Sequence, residues 1–105
     1  MYYVAKLTPE ESGGYSVTFP DVPGCITQGD TEEDALKNAK EALELTLECD
    51  MDNNWEVPMP ETGEDTENGL HIVYVDEALS RKIRDRYTSR AMGMLAELDK
   101  KGFFR

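Results

Sequence analysis

The chain of 105 residues is predicted to fold as one α+β domain, with an antiparallel β-meander, a covering helix, a fourth strand and a C-terminal helix. Three observations predict this class. Apolar and polar residues alternate early in the chain with the two-residue period of a half-buried strand. Between residues 31 and 49 the apolar residues recur at spacings of three and four instead, as they do in an amphipathic helix. A final apolar run at residues 70–75 precedes a second segment of helical period.

The meander is predicted from three short apolar segments, residues 2–7, 15–19 and 25–28. The second segment ends at a proline, which cannot donate a hydrogen bond to a neighbouring strand. The following Val-Pro-Gly-Cys stretch, residues 22–25, fits a type II turn in which Gly24 supplies a positive φ. Short connections of this kind favour antiparallel neighbours, so a β-β-β meander is expected.

The first helix is predicted to begin after Thr31, a residue type that caps helix N-termini with its side-chain oxygen. Asp34 stands at the position of the capping-box acid, and Glu32 and Glu33 also favour the positive end of the helix dipole. The helix is predicted to run to about Cys49. Its apolar face comprises Ala35, Leu36, Ala39, Ala42, Leu43, Thr46 and Leu47. We expect this face to cover the sheet.

The chain is divided by composition into an acidic body, residues 1–60, an acidic linker, residues 61–69, and a tail, residues 70–105. Trp55, Val57 and Met59 are expected to dock on the body, whereas residues 61–68 are expected to stay mobile. The tail is predicted to supply the fourth strand and then a helix capped by Asp76. Whether residues 76–102 form one helix or two is left open by the sequence.

The formal net charge of −11 is unevenly distributed. Residues 1–79 hold three bases against nineteen acids, a net charge of −16, whereas residues 80–105 hold eight bases against three acids, a net charge of +5. An acidic body repels nucleic acid and attracts basic surfaces, and the tail has the opposite preference. A basic protein is therefore the partner that the composition favours for the body.

The lengths of the apolar runs, the N-terminal segment and the cysteine content indicate the compartment and whether the chain contacts a membrane. No apolar run approaches the ~18 residues of a membrane helix, and the N-terminal segment does not have the pattern of a secretory signal. With only Cys25 and Cys49, two reduced thiols are expected rather than a disulfide framework. We therefore expect a cytoplasmic protein without membrane contact.

Catalysis by Cys25 would need a base within hydrogen-bond reach, and the only histidine is His71. The spacing of these two residues matches no cysteine-hydrolase pattern, and a thiol at the start of a short strand usually behaves as a small apolar residue. A carboxylate pair formed by Asp21 with Asp30, or with an acid at the helix start, is equally uninformative in so acidic a segment. We expect no catalytic residues and rank a hydrolase or nuclease last.

Residues 50–61 reproduce several spacings of a calcium-binding loop. Trp55 stands where such a loop needs glycine, and Pro58 and Pro60 stiffen the half that must wrap around the ion. No glycine-rich phosphate loop or metal-spaced Cys/His set is present either. We expect no metal and no cofactor.

The tail concentrates positive charge. A DNA-binding set is one interpretation of these residues, and the solvated face of an amphipathic helix is the other. The residues concerned are Arg81, Lys82, Arg84, Arg86 and Arg90. The two interpretations remain open alternatives.

The apolar stripe of the same tail predicts self-association. It spans about five helical turns, more than a small body is expected to cover, so a second copy is the predicted partner, most simply in a homodimer. The stripe comprises Leu79, Ile83, Tyr87, Met94, Leu95 and Leu98. The alternative is a helix that folds back on its own sheet in a monomer.

Residues 13–47, GGYSVTFPDVPGCITQGDTEEDALKNAKEALELTL, resemble the HicB family of bacterial antitoxins. The resemblance lies in the Gly-Gly-Tyr strand, the Phe-Pro-Asp-x-Pro-Gly-Cys corner, the Thr-Gln-Gly-Asp-Thr helix entry and the Asp-Ala-Leu-x-Asn-Ala helix. The later Val-Pro-Met-Pro segment belongs to the same pattern. The resemblance covers residues 1–60 closely and residues 61–79 loosely.

This resemblance implies a partial RNase-H-like sheet with one covering helix and without catalytic residues. It also implies that the acidic body neutralises HicA, a small basic RNA-cleaving toxin, by covering its RNA-binding surface, and that a C-terminal DNA-binding segment autoregulates the operon. The residues expected to contact the toxin are Asp21, Asp30, Glu32, Glu33 and Asp34. The alternatives are a DNA-binding transcriptional regulator and a stand-alone HicB-like domain without a toxin.

Overall fold

The computed structural model describes residues 1–62, 69–88 and Gly102. Within these residues the chain forms four strands and two helices in the order β-β-β-α-β-α, which confirms the predicted α+β class. The elements are β1 (Tyr2–Pro9), β2 (Tyr15–Thr18), β3 (Ile26–Gly29), α1 (Glu32–Asp52), β4 (Leu70–Tyr74) and α2 (Glu77–Thr88).

The four strands form one antiparallel sheet in the order β3-β2-β1-β4. The consecutive strands β1, β2 and β3 make the predicted meander, and β4 returns after α1 to pair with β1, Tyr2 lying opposite Tyr74. β1 therefore lies inside the sheet, and its first four residues are all buried. The late strand is part of the same sheet as the body.

The side chains on the two faces of β1 belong to two different apolar clusters. Tyr3, Ala5 and Leu7 belong to the main core, which α1 covers, whereas Tyr2 and Val4 lie in a second cluster. The side chains that α1 contributes to the main core are Ala35, Ala39, Leu43 and Leu47, a strict four-residue spacing. This stripe confirms the predicted apolar face.

Both ends of α1 are capped. The Thr31 hydroxyl accepts a hydrogen bond from the Asp34 backbone N–H at 3.0 Å, as predicted. At the other end Asn54 adopts a left-handed φ of 56°, and the Trp55 N–H donates to the Asp50 carbonyl at 2.8 Å. These are the features of a Schellman motif. The helix thus continues to Asp52, three residues beyond its predicted end.

Between α1 and β4, residues 56–62 form neither helix nor strand, and we call this segment the strap. The Val57 N–H donates to the Tyr87 hydroxyl at 2.9 Å, and the Tyr3 hydroxyl donates to the Pro58 carbonyl at 2.6 Å. Val57 and Pro60 are buried. The main chain of the strap is therefore hydrogen-bonded to β1 and to α2 through two tyrosine hydroxyls.

The structure corrects two expectations about docking. Trp55 is 60% exposed and does not dock on the body, although Val57 does. Leu79, Ile83 and Tyr87, expected at a dimer interface, are instead buried in the core of the single chain, since α2 packs back on α1 and the strap. The other stripe residues, Met94, Leu95 and Leu98, lie outside the described residues.

Candidate functional site

The Pro-Asp-Val-Pro-Gly-Cys corner is a turn that anchors the strap. Gly24 has a φ of +87°, and the Cys25 N–H donates to the Val22 carbonyl at 3.1 Å, as the predicted turn requires. The Asp21 carboxylate accepts hydrogen bonds from the backbone N–H groups of Glu61 and Thr62 at 2.9 and 2.7 Å. It accepts a third, at 3.0 Å, from the Thr62 hydroxyl.

These three bonds change the interpretation of Asp21. The sequence predicts a carboxylate displayed for a partner, whereas the side chain is half-buried and its acceptor sites are used within the chain. The same bonds place Glu61 and Thr62, which begin the predicted mobile linker, against the corner. Sequence reasoning missed this contact because its partners are 40 and 41 residues apart.

The corner does not form a cysteine–histidine dyad. Cys25 immediately precedes β3 and His71 lies in β4, and these strands are the two edges of the sheet. Three interstrand spacings separate them, about 14 Å. Burial raises the pKa of the Cys25 thiol, opposed by a side-chain hydrogen bond with Thr46. A thiol in this environment is a poor nucleophile at neutral pH.

The acids around the start of α1 do form an exposed group. Asp30, Glu32, Glu33 and Asp34 are all exposed, and Glu32 lies 3.7 Å from the imidazole of His71. The groove beside them, between α1 and β3, is shallow and polar, and the Asn38 amide donates across it to the Gln28 carbonyl at 2.8 Å. This end of the molecule offers negative charge without an apolar centre.

A second exposed acidic surface runs along α1 on the side opposite the core. We call it the outer ridge; its residues are Glu41, Leu45, Glu48 and Asp52, at helical spacings of four, three and four. Leu45 is 63% exposed. Within the part of the chain that the structure describes, the three acids form no ion pair. This ridge is not among the sites predicted from the sequence, although an outward leucine in an acidic helix is visible there.

The basic residues of the tail are not equivalent. The Arg86 guanidinium donates to the Asn54 side-chain oxygen at 2.7 Å and to the Met51 sulfur at 3.1 Å. It also lies 5.7 Å from the centre of the Tyr87 ring, within cation–π range. Arg86 therefore ties α2 to the C-terminal end of α1 and is not free for DNA.

The remaining members of the proposed DNA-binding set are more accessible. Arg81 is exposed and pairs with Glu77 at 3.3 Å, and Lys82 and Arg84 are also exposed. Arg90 lies outside the described residues. The structure thus leaves Arg81, Lys82 and Arg84 on the solvent side of α2, opposite the buried Ile83 and Tyr87.

The acids at residues 50–52 that resemble the start of a calcium-binding loop belong to a helix. Asp50 and Asp52 are in the last turn of α1, so they do not form the start of an ion-binding loop. Burial raises the pKa of the Asp50 carboxyl, opposed by the nearby charge of Arg86. No group of three or more His, Cys, Asp or Glu side chains in the described ranges is arranged to hold a metal ion. No helix of the same ranges is long and apolar enough to cross a bilayer.

The chain is similar to known antitoxins over most of its length. A family model described as the HicB_like antitoxin of bacterial toxin-antitoxin systems matches residues 2–82. Antitoxin HicB 1 of Photorhabdus laumondii is 43% identical over 81 residues, which are 76% of this chain and 47% of that relative. The chain spans about half the length of the curated antitoxins that it matches.

Solved structures agree with this relationship. A chain from the HicA3 and HicB3 toxin-antitoxin complex superimposes with a TM-score of 0.58 at 28% identity, covering 72% of this chain and 99% of that one. The Burkholderia pseudomallei antitoxin HicB has the same fold, with a TM-score of 0.63 at 24% identity over 94% of this chain and 96% of that one. The fold is therefore that of an acidic antitoxin-type α+β domain, four antiparallel strands with two helices. This chain belongs to the HicB-like antitoxin family.

Proposed function

We propose that this chain is the antitoxin of a toxin–antitoxin pair and that its acidic body neutralises a small basic RNA-cleaving toxin of the HicA type by covering its RNA-binding surface. The family match over residues 2–82 carries the proposal. A solved relative comes from a complex with the toxin HicA3, which supports a partner of that kind.

The charge of the body supports the same partner. Residues 1–79 have a net charge of −16, and a protein that binds RNA presents Lys and Arg side chains to phosphates. Carboxylates on an antitoxin replace those phosphates, and complementary charge accelerates encounter. The toxin is thereby held away from its substrate without any chemistry on the antitoxin itself.

Co-expression tests this proposal. The test requires a small basic protein encoded beside the gene for this chain. That protein is induced in bacterial cells with and without the chain, and colony formation and RNA cleavage by the purified proteins are measured. Restored growth and blocked cleavage are expected. The association rate is expected to fall as the salt concentration rises, because the attraction is screened. Unrelieved toxicity, or an association rate that is independent of salt, contradicts the proposal.

We extend the proposal to the tail, which would bind the promoter of its own operon and so regulate its own expression. The exposed Arg81, Lys82 and Arg84 lie together on α2, whose opposite side is buried, so they face solvent as a phosphate-binding group would. The test compares the affinity of two proteins for a labelled fragment of the operon promoter. One is the wild type, and the other is the triple variant in which Arg81, Lys82 and Arg84 are changed to Gln. Equal affinities of the two proteins for DNA would remove these residues from any DNA contact.

A further inference from the structure

The outer ridge of α1 is unusual because an apolar side chain projects from its centre. Leu45 is two residues from both Leu43 and Leu47, which are fully buried, so it points about 160° away from each of them around the helix axis. A leucine at this position does not contribute to the core of the chain, and lysine or glutamate would serve the helix equally well.

A second large apolar side chain is exposed at the end of the same helix. Trp55 follows the Schellman motif of α1 and is 60% exposed, although its backbone N–H is held by the Asp50 carbonyl. The main chain at Trp55 is therefore fixed while the indole faces solvent. Exposed aromatic side chains on a fixed backbone are the usual anchors of protein interfaces.

The segment that carries these two side chains is acidic, although the Arg86 guanidinium reaches Asn54 from α2. Residues 41–56 hold six acids and no base. Of the six, Glu44 is used within the chain, since its carboxylate contacts Lys40 at 3.1 Å and accepts a hydrogen bond from the Asp76 N–H at 2.7 Å. The ridge acids Glu41, Glu48 and Asp52 have no such partner among the described residues.

We infer that the outer ridge together with Trp55 is the surface on which the basic partner protein docks, with Leu45 and Trp55 as apolar anchors and the ridge acids facing Lys and Arg side chains. An apolar centre with a charged rim is the anatomy of a specific protein interface, and the sign of the rim selects a basic partner. The inference rests on the proposed function and names its contact surface. The acids at the start of α1, which the sequence predicts for this role, have no apolar side chain among them before Ala35.

Affinity measurements with matched variants test the apolar anchors. The probe is the toxin from the co-expression experiment, and Leu45→Ala and Trp55→Ala are compared with Ile26→Ala, which removes an equally exposed side chain, 68% exposed, from β3. Each anchor variant is expected to bind about tenfold more weakly than the wild type, whereas the control changes the affinity less than twofold. Thermal unfolding confirms that all three variants remain folded.

Association rates test the acidic rim. The double variant Glu41→Gln with Glu48→Gln is compared with Glu10→Gln with Glu11→Gln, which removes the same charge from the exposed loop after β1. The ridge variant is expected to associate several-fold more slowly and with a weaker salt dependence than the loop variant. Equal rates for the two double variants contradict the inference.

The outcomes separate the inference from the proposed function. If the wild type binds the toxin and the anchor variants bind as tightly as Ile26→Ala, the docking surface lies elsewhere and the proposed function stands. If affinity is lost only on changing Asp30 and Glu33, the start of α1 is the contact and the inference is overturned. A wild type that binds no basic protein overturns both. Self-association that Leu45→Ala abolishes, with toxin affinity unchanged, would assign the ridge to a second copy.

Discussion

At the scale of single residues, two glycines have different physical roles. Gly24 needs its positive φ of +87°, but a Cβ there would meet no atom within 4 Å. Gly29 has an ordinary backbone conformation, but a Cβ there would lie 2.3 Å from the Ala35 backbone nitrogen. One glycine is required by its dihedral angle and the other by the close approach of α1 to β3.

Alanine substitution is expected to separate these roles. Gly24→Ala should lower the free energy of unfolding by about 1 kcal/mol, the usual cost of a Cβ at positive φ. Gly29→Ala should lower it by about 3 kcal/mol, because backbone must move to remove the overlap. Urea denaturation measures both values. A smaller loss for Gly29→Ala than for Gly24→Ala would contradict the packing of α1 on β3.

Asp21 is expected to behave as a structural residue. Asp21→Ala removes the acceptor of three hydrogen bonds and should cost about 2 kcal/mol of unfolding free energy, a typical value for bonds to a charged group. Amide hydrogen exchange at Glu61 and Thr62 should accelerate in the same variant. The matched control is Asp30→Ala, an exposed acid for which both quantities should stay near those of the wild type.

At the scale of elements, the strap joins the sheet to α2 through two hydrogen bonds. The Val57 N–H is buried and has the Tyr87 hydroxyl as its acceptor, while the Pro58 carbonyl accepts from Tyr3. A buried backbone group left without its partner costs about 1–3 kcal/mol. Through these two tyrosine hydroxyls the strap is hydrogen-bonded to elements that are distant from it in sequence.

The contribution of the strap to the free energy of unfolding should depend on pH through Tyr3. Burial raises the pKa of the Tyr3 phenol above its ordinary value of about 10, and the nearby Asp21, Tyr87 and Asp50 reinforce the effect. Because the folded pKa exceeds the unfolded one, the contribution of Tyr3 is fully present below pH ~10 and is lost as the pH rises toward the folded pKa. The free energy of unfolding should therefore fall steeply above pH ~10 in the wild type.

Tyr3→Phe tests this pH dependence, since it removes the titrating group and keeps the ring. The variant should be less stable than the wild type at neutral pH, by about 1 kcal/mol for the lost hydrogen bond, and should lose less stability between pH 9 and 11. Tyr74→Phe, at an exposed ring, is the control. Parallel stability curves for the wild type and Tyr3→Phe would refute the assignment.

At the scale of the whole molecule, the apolar residues of the predicted tail stripe fall into two classes, those buried in the described core and those outside the described residues. Ile83 is fully buried in the core of one chain, whereas Leu95 belongs to the part of the predicted stripe outside the described residues. The self-association that the sequence predicts therefore depends on Leu95 and its neighbours Met94 and Leu98, and not on Ile83.

The two classes should respond differently to substitution. Ile83→Ala should lower the free energy of unfolding by about 3 kcal/mol, as core truncations do, and leave the mass in solution unchanged. Leu95→Lys should reduce the mass measured by light scattering from two chains to one and leave the body folded. A wild type with the mass of one chain at ~100 μM would remove the predicted dimer.

The sequence by itself determined the elements and the family of this protein. Helical and strand periods, the Thr31 cap and the Pro-Gly turn are local features, because their partners lie within a few residues, and they were predicted correctly. The corner motif also identified the family. Net charge needs no coordinates, so the proposal of a basic partner followed from composition alone.

Only the tertiary structure decided which side chains are free to act. Asp21 and Arg86 have the charge of binding residues, but contacts with residues more than 30 positions away occupy them. Leu79, Ile83 and Tyr87 form a stripe that would suit a dimer, but α2 folds back and buries it. Conversely, Leu45 and Trp55 are left in water. The physical reason is that a side chain's type sets what it can bind, while long-range packing, which no local pattern encodes, sets whether it is already bound.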